Sequence, residues 1–431
     1  MKKFLSFSLI AALCIAPMSA LCSCGPRADV VLRVASWEEY IDEGDEDRAS
    51  LIEDFEAWYE EETGYTIQVK YIPLDDNETM YNKISLGEKY DLLCPSEYMI
   101  MKLQAEGKLE KYPESFFDAS VQTNYYAQNV SPFIKETFEN GSMTDGSKWS
   151  EYAAGYMWGT TGFVVSPTLS SEATSWNVVK NHGNRATAKN NVRDSYFMGL
   201  GMYYENQLNS LAKDENYQTT LHDKMNDVSP ETMQNVKELL KSVKKNGVRF
   251  ETDDAKDDII AGDYDVSYQW SGDAVYILVE AEKNGIYYEY VVPQSASNLW
   301  FDAWVMLKGA NVDAATAFVN FVSMSENAVR NSDYIGYTPC VAGEDVLSYV
   351  KETYAAESGE ETATYDLTYF FSDSETTVDK YVLTVPKTQL KRQLFAQFPD
   401  AETKKRLVVM DYFTKEVNDR AATMWNEVSA N

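Results

Sequence analysis

Leu299-Trp300-Phe301-Asp302-Ala303-Trp304 sets two indoles around a single carboxylate. An indole face attracts a cation held over its ring, the more so when water is excluded, and a neighbouring carboxylate takes the hydrogen bonds of an ammonium. That is chemistry for holding an organic cation. Taken alone, the stretch is equally well explained by two core indoles and a turn acid. Its recurrence favours a site. Trp37-Glu38-Glu39-Tyr40, Ser96-Glu97-Tyr98 and Tyr268-Gln269-Trp270 repeat the pairing of an aromatic ring with an acid or a hydrogen-bonding side chain.

The elements that must position these residues are alternating strands and helices. Val30 to Ala35 reads as a strand ending at Ser36-Trp37, and Leu51, Ile52, Phe55 and Trp58 line one face of a helix stopped by Gly64. Thr66 to Ile72 is a second strand, Asn77 to Leu86 a second helix, and Asp91 to Cys94 a short buried strand leading into Pro95-Ser96-Glu97-Tyr98. Such alternation predicts a parallel sheet wound by crossovers, with ligands at the carboxyl ends of its strands. Trp37, Tyr40, Ser96 and Tyr98 all fall at those ends. Residues 112 to 150 lack strong periodicity and read as a mobile, loop-rich excursion. Gly159 and Gly162 suit a crossover between domains, and Phe163 to Val165 continues it as a strand. Ser229-Pro230 opens a capped helix closed by Asn246-Gly247, Tyr264 to Trp270 is a strand, and Val312 to Val322 and the segment from Phe413 to Val428 are helices. Ala355 to Glu361 reads as a solvated loop. No internal repeat is visible.

Met1-Lys2-Lys3 followed by an apolar run to Ala20 is a secretion signal, too short to span a membrane. Leu21-Cys22-Ser23-Cys24 resembles the bacterial lipoprotein box, so cleavage after residue 23 would leave Cys24 as the lipid anchor and residues 24–29 as a tether. An ordinary signal peptide without lipid is the alternative. The formal net charge of −30, made more negative by loss of Lys2 and Lys3, argues against nucleic acid as a partner and favours cations in an acidic cleft. Cys94 and Cys340 remain in the mature chain, as two buried thiols or as a disulfide. The two histidines, His182 and His222, are too isolated for a metal cluster, and neither a metal nor a cofactor is expected. Gly-x-Ser-x-Gly and Gly-x-x-x-x-Gly-Lys are both missing. A secreted glycan-active enzyme would also combine indoles with paired acids, with Glu38, Glu39, Glu97 and Asp302 as candidates. Nothing in the sequence gives one of them a raised pKa.

Trp37-Glu38-Glu39-Tyr40, Asn77 to Tyr81, Asp91 to Tyr98, Trp158 to Gly162, Val192-Arg193-Asp194, Trp270-Ser271-Gly272, Trp300-Phe301-Asp302 and Ile335 to Pro339 occur in an order that resembles the spermidine/putrescine-binding proteins of bacterial ABC importers. The resemblance covers most of residues 30 to 340, weakens from 341 to 395, and returns at Phe398 to Thr403. It implies an α/β, two-lobed periplasmic-binding-protein fold of type II, each lobe a mixed, mainly parallel sheet flanked by helices and hinged around an interlobe cleft. Residues 30–155 with about 300–340 would form the first lobe, and about 156–298 with about 345–431 the second. By the same resemblance the chain is no enzyme but a monomeric, lipid-anchored binder outside the cytoplasm, capturing putrescine or spermidine for a membrane permease. Another organic cation or solute in the same fold is the alternative. Trp37 and Tyr40 would be aromatic walls with Glu39 as an acidic contact, Ser96 and Tyr98 hydroxyl partners, and Trp270 the opposite wall. Trp300 and Asp302 would be the central ring and carboxylate, completed by Tyr337. Where the family has two acids three residues apart, this chain has Asn191 and Asp194, and the family's glutamine before the last helix is replaced around Val409. A buried ammonium without a partner costs several kcal/mol, so the lost acid matters unless Glu38 or Glu97 points inward.

Overall fold

The structure is a computed structural model describing residues 28–251 and 255–430. The leader and Cys24 lie outside the described residues. Fourteen strands follow one another along the described chain: β1 (Val30–Trp37), β2 (Ile67–Leu74), β3 (Leu92–Leu93), β4 (Leu109–Glu110), β5 (Ala153–Val165), β6 (Ala186–Lys189), β7 (Arg249–Glu251), β8 (Val266–Trp270), β9 (Glu289–Val291), β10 (Ser297–Leu307), β11 (Thr338–Pro339), β12 (Thr362–Asp366), β13 (Val382–Pro386) and β14 (Leu407–Val408). Twelve of them form one continuous sheet with the path β2-β1-β3-β10-β5-β8-β6-β7, while β12 and β13 make a separate ribbon.

The sheet has two like halves. In one, β1 pairs in parallel with β2 and β3, and the antiparallel β10 lies alongside β3. In the other, β6 pairs in parallel with β7 and β8, and the antiparallel β5 lies alongside β8. β5 and β10 are buried at every position, as expected of strands covered on both faces, and they pair with each other to join the halves. Their register shifts between Asp302 and Ala303, which face Met157 and Gly155, so Tyr156 is the extra residue of a bulge where the two halves meet.

Local chemistry sets the flanking helices. Ser50 and Glu53 form a reciprocal capping box on the helix Leu51–Thr63, and Gly64 ends it in the left-handed conformation at φ 73°. Phe55 packs from this helix against Phe318 at 5.0 Å between ring centres, fixing it to the helix Val312–Val322. Around β6 and β8 a second core gathers Phe163, Trp176, Phe197 and Tyr268. Among the described residues no helix is long and apolar enough to cross a membrane.

Residues 112 to 150 differ from the loop expected there. They form the helices Tyr125–Asn129 and Pro132–Asn140 with short 3-10 turns at each end, and Phe116, Tyr126, Phe133, Ile134 and Phe138 are buried. Aromatic side chains at irregular spacing make a packed layer without the periodicity of a long helix. Residues 341–398 bind to both sides of the molecule. Ser131 donates to the carbonyl of Phe370 at 2.6 Å, while the helix Gln393–Gln397 packs on the helix Ser271–Lys283. Ala355 to Glu361 is mostly exposed, as a solvated loop should be. Cys94 and Cys340 are both buried and free, and burial pushes both thiols well up.

Candidate ligand-binding site

Trp37 ends β1, Ser96 follows β3, and Trp270 ends β8, so the carboxyl ends of the parallel strands in both halves supply aromatic or hydroxyl groups. Trp300 and Asp302 sit where β10 crosses between the halves. Asp302 is 5% exposed and accepts hydrogen bonds from Trp37 Nε1 at 3.0 Å and the Tyr40 hydroxyl at 2.8 Å, with Ser96 as a further partner. Burial raises its pKa by more than these three donors lower it, so the carboxyl stays above the usual carboxylate range. Ser96 is itself fixed by the Asn77 amide at 3.0 Å.

Rings carry the site across the join. Tyr40 meets Tyr337 edge-on at 5.7 Å, and Tyr337 meets Trp300 at 5.5 Å. Trp300 is held by donating from Nε1 to the carbonyl of Thr160 at 3.2 Å. Gly159 allows this approach, since a Cβ there would lie 2.2 Å from Ser271 Oγ and 2.5 Å from the Trp300 ring. The Tyr337 hydroxyl donates to Asp273 Oδ1 at 3.0 Å, leading into the second half. There Asp273 Oδ2 accepts from Lys189 Nζ at 2.9 Å, and that ammonium lies 3.9 Å from the centre of the Trp270 ring. Burial alone would raise the Asp273 carboxyl, but Lys189 and Lys256 hold it down at about 2. Trp270 in turn hydrogen-bonds Asp194, which also accepts from the Asn191 amide at 2.6 Å. Burial raises Asp194, opposed by Asn191 and by the charge of Lys189.

Ten of the eleven residues expected from the sequence therefore join one network: Trp37, Tyr40, Ser96, Tyr98, Asn191, Asp194, Trp270, Trp300, Asp302 and Tyr337. Tyr98 enters through Arg193, whose guanidinium lies 4.5 Å from its ring and 3.8 Å from that of Phe413. Glu39 does not join them. It is exposed, stands at φ 51° in the turn after β1, and its charge acts on Tyr334 instead. Glu38 is exposed as well, and the Val409 carbonyl accepts from the Asn226 amide. Asn191 has taken up another task, capping the helix Val192–Leu211 through the backbone N–H of Asp194.

Four charged groups of the network had no role in the reading of the sequence: Lys189 and Asp273, which stand outside its motifs, and Arg193 and Glu78, which stand within them. The signals were slight, a lysine closing a strand two residues before Asn191 and an acid three residues after Trp270. Glu78 accepts from the Tyr98 hydroxyl at 3.3 Å and is raised by burial. Glu97, which sequence gave no reason to perturb, is 2% exposed, and burial pushes it up to about 8. Among the described residues no group of three His, Cys, Asp or Glu side chains is arranged to hold a metal ion.

Two α/β halves, each with three parallel strands and one antiparallel neighbour, joined by β5 and β10 around a row of rings and acids, define a two-lobed binding protein of the type II periplasmic class. The chain belongs to the bacterial extracellular solute-binding protein family, whose model matches residues 51–356. That is a family of binders, not enzymes. A spermidine/putrescine-binding periplasmic protein of Salmonella typhimurium is 26% identical over 324 residues, 73% of this chain and 78% of that one. A putrescine/agmatine-binding protein of Pseudomonas aeruginosa is 25% identical over 290 residues, 65% of this chain and 72% of that one. The solved spermidine/putrescine ABC transporter substrate-binding protein of Streptococcus pneumoniae superposes with a TM-score of 0.61 at 26% identity, covering 93% of this chain and 98% of that one. A lipoprotein of Treponema pallidum shares the fold with a TM-score of 0.62 at 18% identity, over 92% of this chain and 99% of that one.

Proposed function

We propose that this chain is the substrate-binding component of an ABC importer, held outside the cytoplasm by a lipid on Cys24, and that it captures a polyamine and delivers it to a membrane permease. The observation that carries the reading is Asp302, a buried carboxylate among Trp37, Tyr40, Trp300 and Tyr337 with which, among the described residues, no lysine or arginine pairs. A buried charge in that condition calls for a cation from outside. An ammonium would take hydrogen bonds at Asp302 and an attractive ring face, and the adjoining methylenes would lie along the indoles. The relatives named for spermidine, putrescine and agmatine support the choice of cation. Residues 30–155 with about 300–340 would move against the remainder about the crossing strands, closing the lobes on the ligand.

The test is thermal unfolding of the mature, lipid-free chain with putrescine, cadaverine, spermidine and spermine at fixed salt. A ligand that binds only the folded state at a hundredfold excess over Kd stabilises it by about 2.7 kcal/mol. The midpoint is expected to rise with at least one polyamine and to stay flat in Asp302→Asn. No shift with any of the four in the wild-type chain would refute the polyamine assignment while leaving the family unaffected.

A further inference from the structure

Trp270 and Asp273 present the same ring-and-acid pairing as Trp300 and Asp302, yet this second pair is already occupied by the protein. Lys189 is 1% exposed, lies 3.9 Å from the centre of the Trp270 ring and donates to Asp273 Oδ2 at 2.9 Å. The other oxygen of Asp273 is taken by Lys256 at 2.9 Å and by the Tyr337 hydroxyl at 3.0 Å. Neither carboxylate oxygen is left without a donor. Resting on the polyamine reading, we propose that Lys189 is a resident ammonium that fills one cation position of the site, so that the cleft selects a diamine over a triamine.

The remaining charges support the count. Asp302 has no cationic partner among the described residues, and Asp194 is held by an amide and an indole, with the charges of Lys189 and Arg193 acting on it but with no ion pair to either, so each offers a carboxylate to one ligand ammonium. Glu78 lies beside Arg193, whose charge acts on it. Glu97 keeps its proton near neutral pH and so supplies no charge. A third ligand ammonium would find no carboxylate of its own and would approach Lys189 or Arg193, a like charge in a site that excludes water. A diamine meets no such conflict. Each lobe would contribute one carboxylate that makes no ion pair within the protein, which also makes the diamine a bridge that favours the closed form.

Isothermal titration of the mature chain with putrescine and spermidine, repeated on Lys189→Met and Lys189→Arg, tests this. The wild-type chain is expected to bind putrescine at least about tenfold tighter than spermidine, since each buried ammonium needs its own partner. Lys189→Met removes the ammonium from the Trp270 ring and from Asp273 Oδ2, so the ratio of spermidine to putrescine affinity should rise about tenfold; Lys189→Arg keeps the charge and should keep the preference. Wild-type binding of spermidine as tight as that of putrescine overturns the inference without touching the polyamine reading, and needs no variant to fold. A preference for putrescine that survives in Lys189→Met overturns the role of Lys189. Failure of every polyamine to bind the wild-type chain removes the polyamine reading and this inference together.

Discussion

Replacing Glu97 by Gln should stabilise the protein, and the gain should grow with pH. Glu97 is 2% exposed at the start of the helix Glu97–Ala105, where its carboxylate is met by its own backbone N–H and, at a long 3.4 Å, by the Phe301 N–H. Burial raises its pKa from 4.5 to about 8, and the nearby Asp302 adds to the effect. In the unfolded chain the proton is lost above pH 4.5; in the folded chain it is kept until about 8. Folding is therefore opposed by about 1.4 kcal/mol for each pH unit in that window, roughly 3 kcal/mol in all at pH 7. The penalty is nil below pH 4.5 and complete above 8. Gln has the same shape and no proton to lose, so Glu97→Gln should match the wild type near pH 4.5 and exceed it by about 3 kcal/mol at pH 7. Urea unfolding of both proteins at intervals from pH 4.5 to 8, without ligand, measures the difference. Stability curves that run parallel across this range would refute the argument, because a constant offset reflects packing rather than a proton.

Two other substitutions probe separate steps. Gly159→Ala places a Cβ against Ser271 Oγ and the Trp300 ring, so Trp300 must shift; the near-ultraviolet circular dichroism should change and polyamine affinity should fall by at least about tenfold, whereas unchanged affinity would mean that Trp300 does not line the site. Arg330→Met removes the buried cationic partner of Asp42, whose fully buried side chain would keep the half-exposed Arg48 and the Gly44 N–H. A loss of about 3 kcal/mol is expected in denaturant unfolding, the usual consequence of orphaning a buried charge, and a loss under about 1 kcal/mol would show that Arg48 suffices.

Strand ends were legible because two separate regularities point to them. Apolar runs such as Val30 to Ala35 mark the strand, and the rings and hydroxyls that follow, Trp37 and Ser96, then fall on the side where such sheets bind ligands. The helix Val312–Val322 was legible for the same kind of reason, an apolar face at helical spacing. Pairings across the sheet left no such trace. Lys189 and Asp273 stand 84 positions apart and Arg193 and Tyr98 nearly a hundred, and no period connects one member to the other. Neighbouring acids were ambiguous for a related reason. Glu38, Glu39 and Glu97 look alike in the chain, yet the first two face water while the third is enclosed beneath Phe301. Composition registers an acid but not the medium around it, and the medium decides whether that acid attracts a cation or holds a proton. A count of carboxylates near the aromatic motifs therefore overstates the charge available to a ligand. Glu39 is outside the network, burial pushes Glu97 up to about 8, and Asp273 is engaged by Lys189 and Lys256; if the ligand is a polyamine, as proposed, Asp302 and Asp194 would then determine how many ammonium groups the cleft admits.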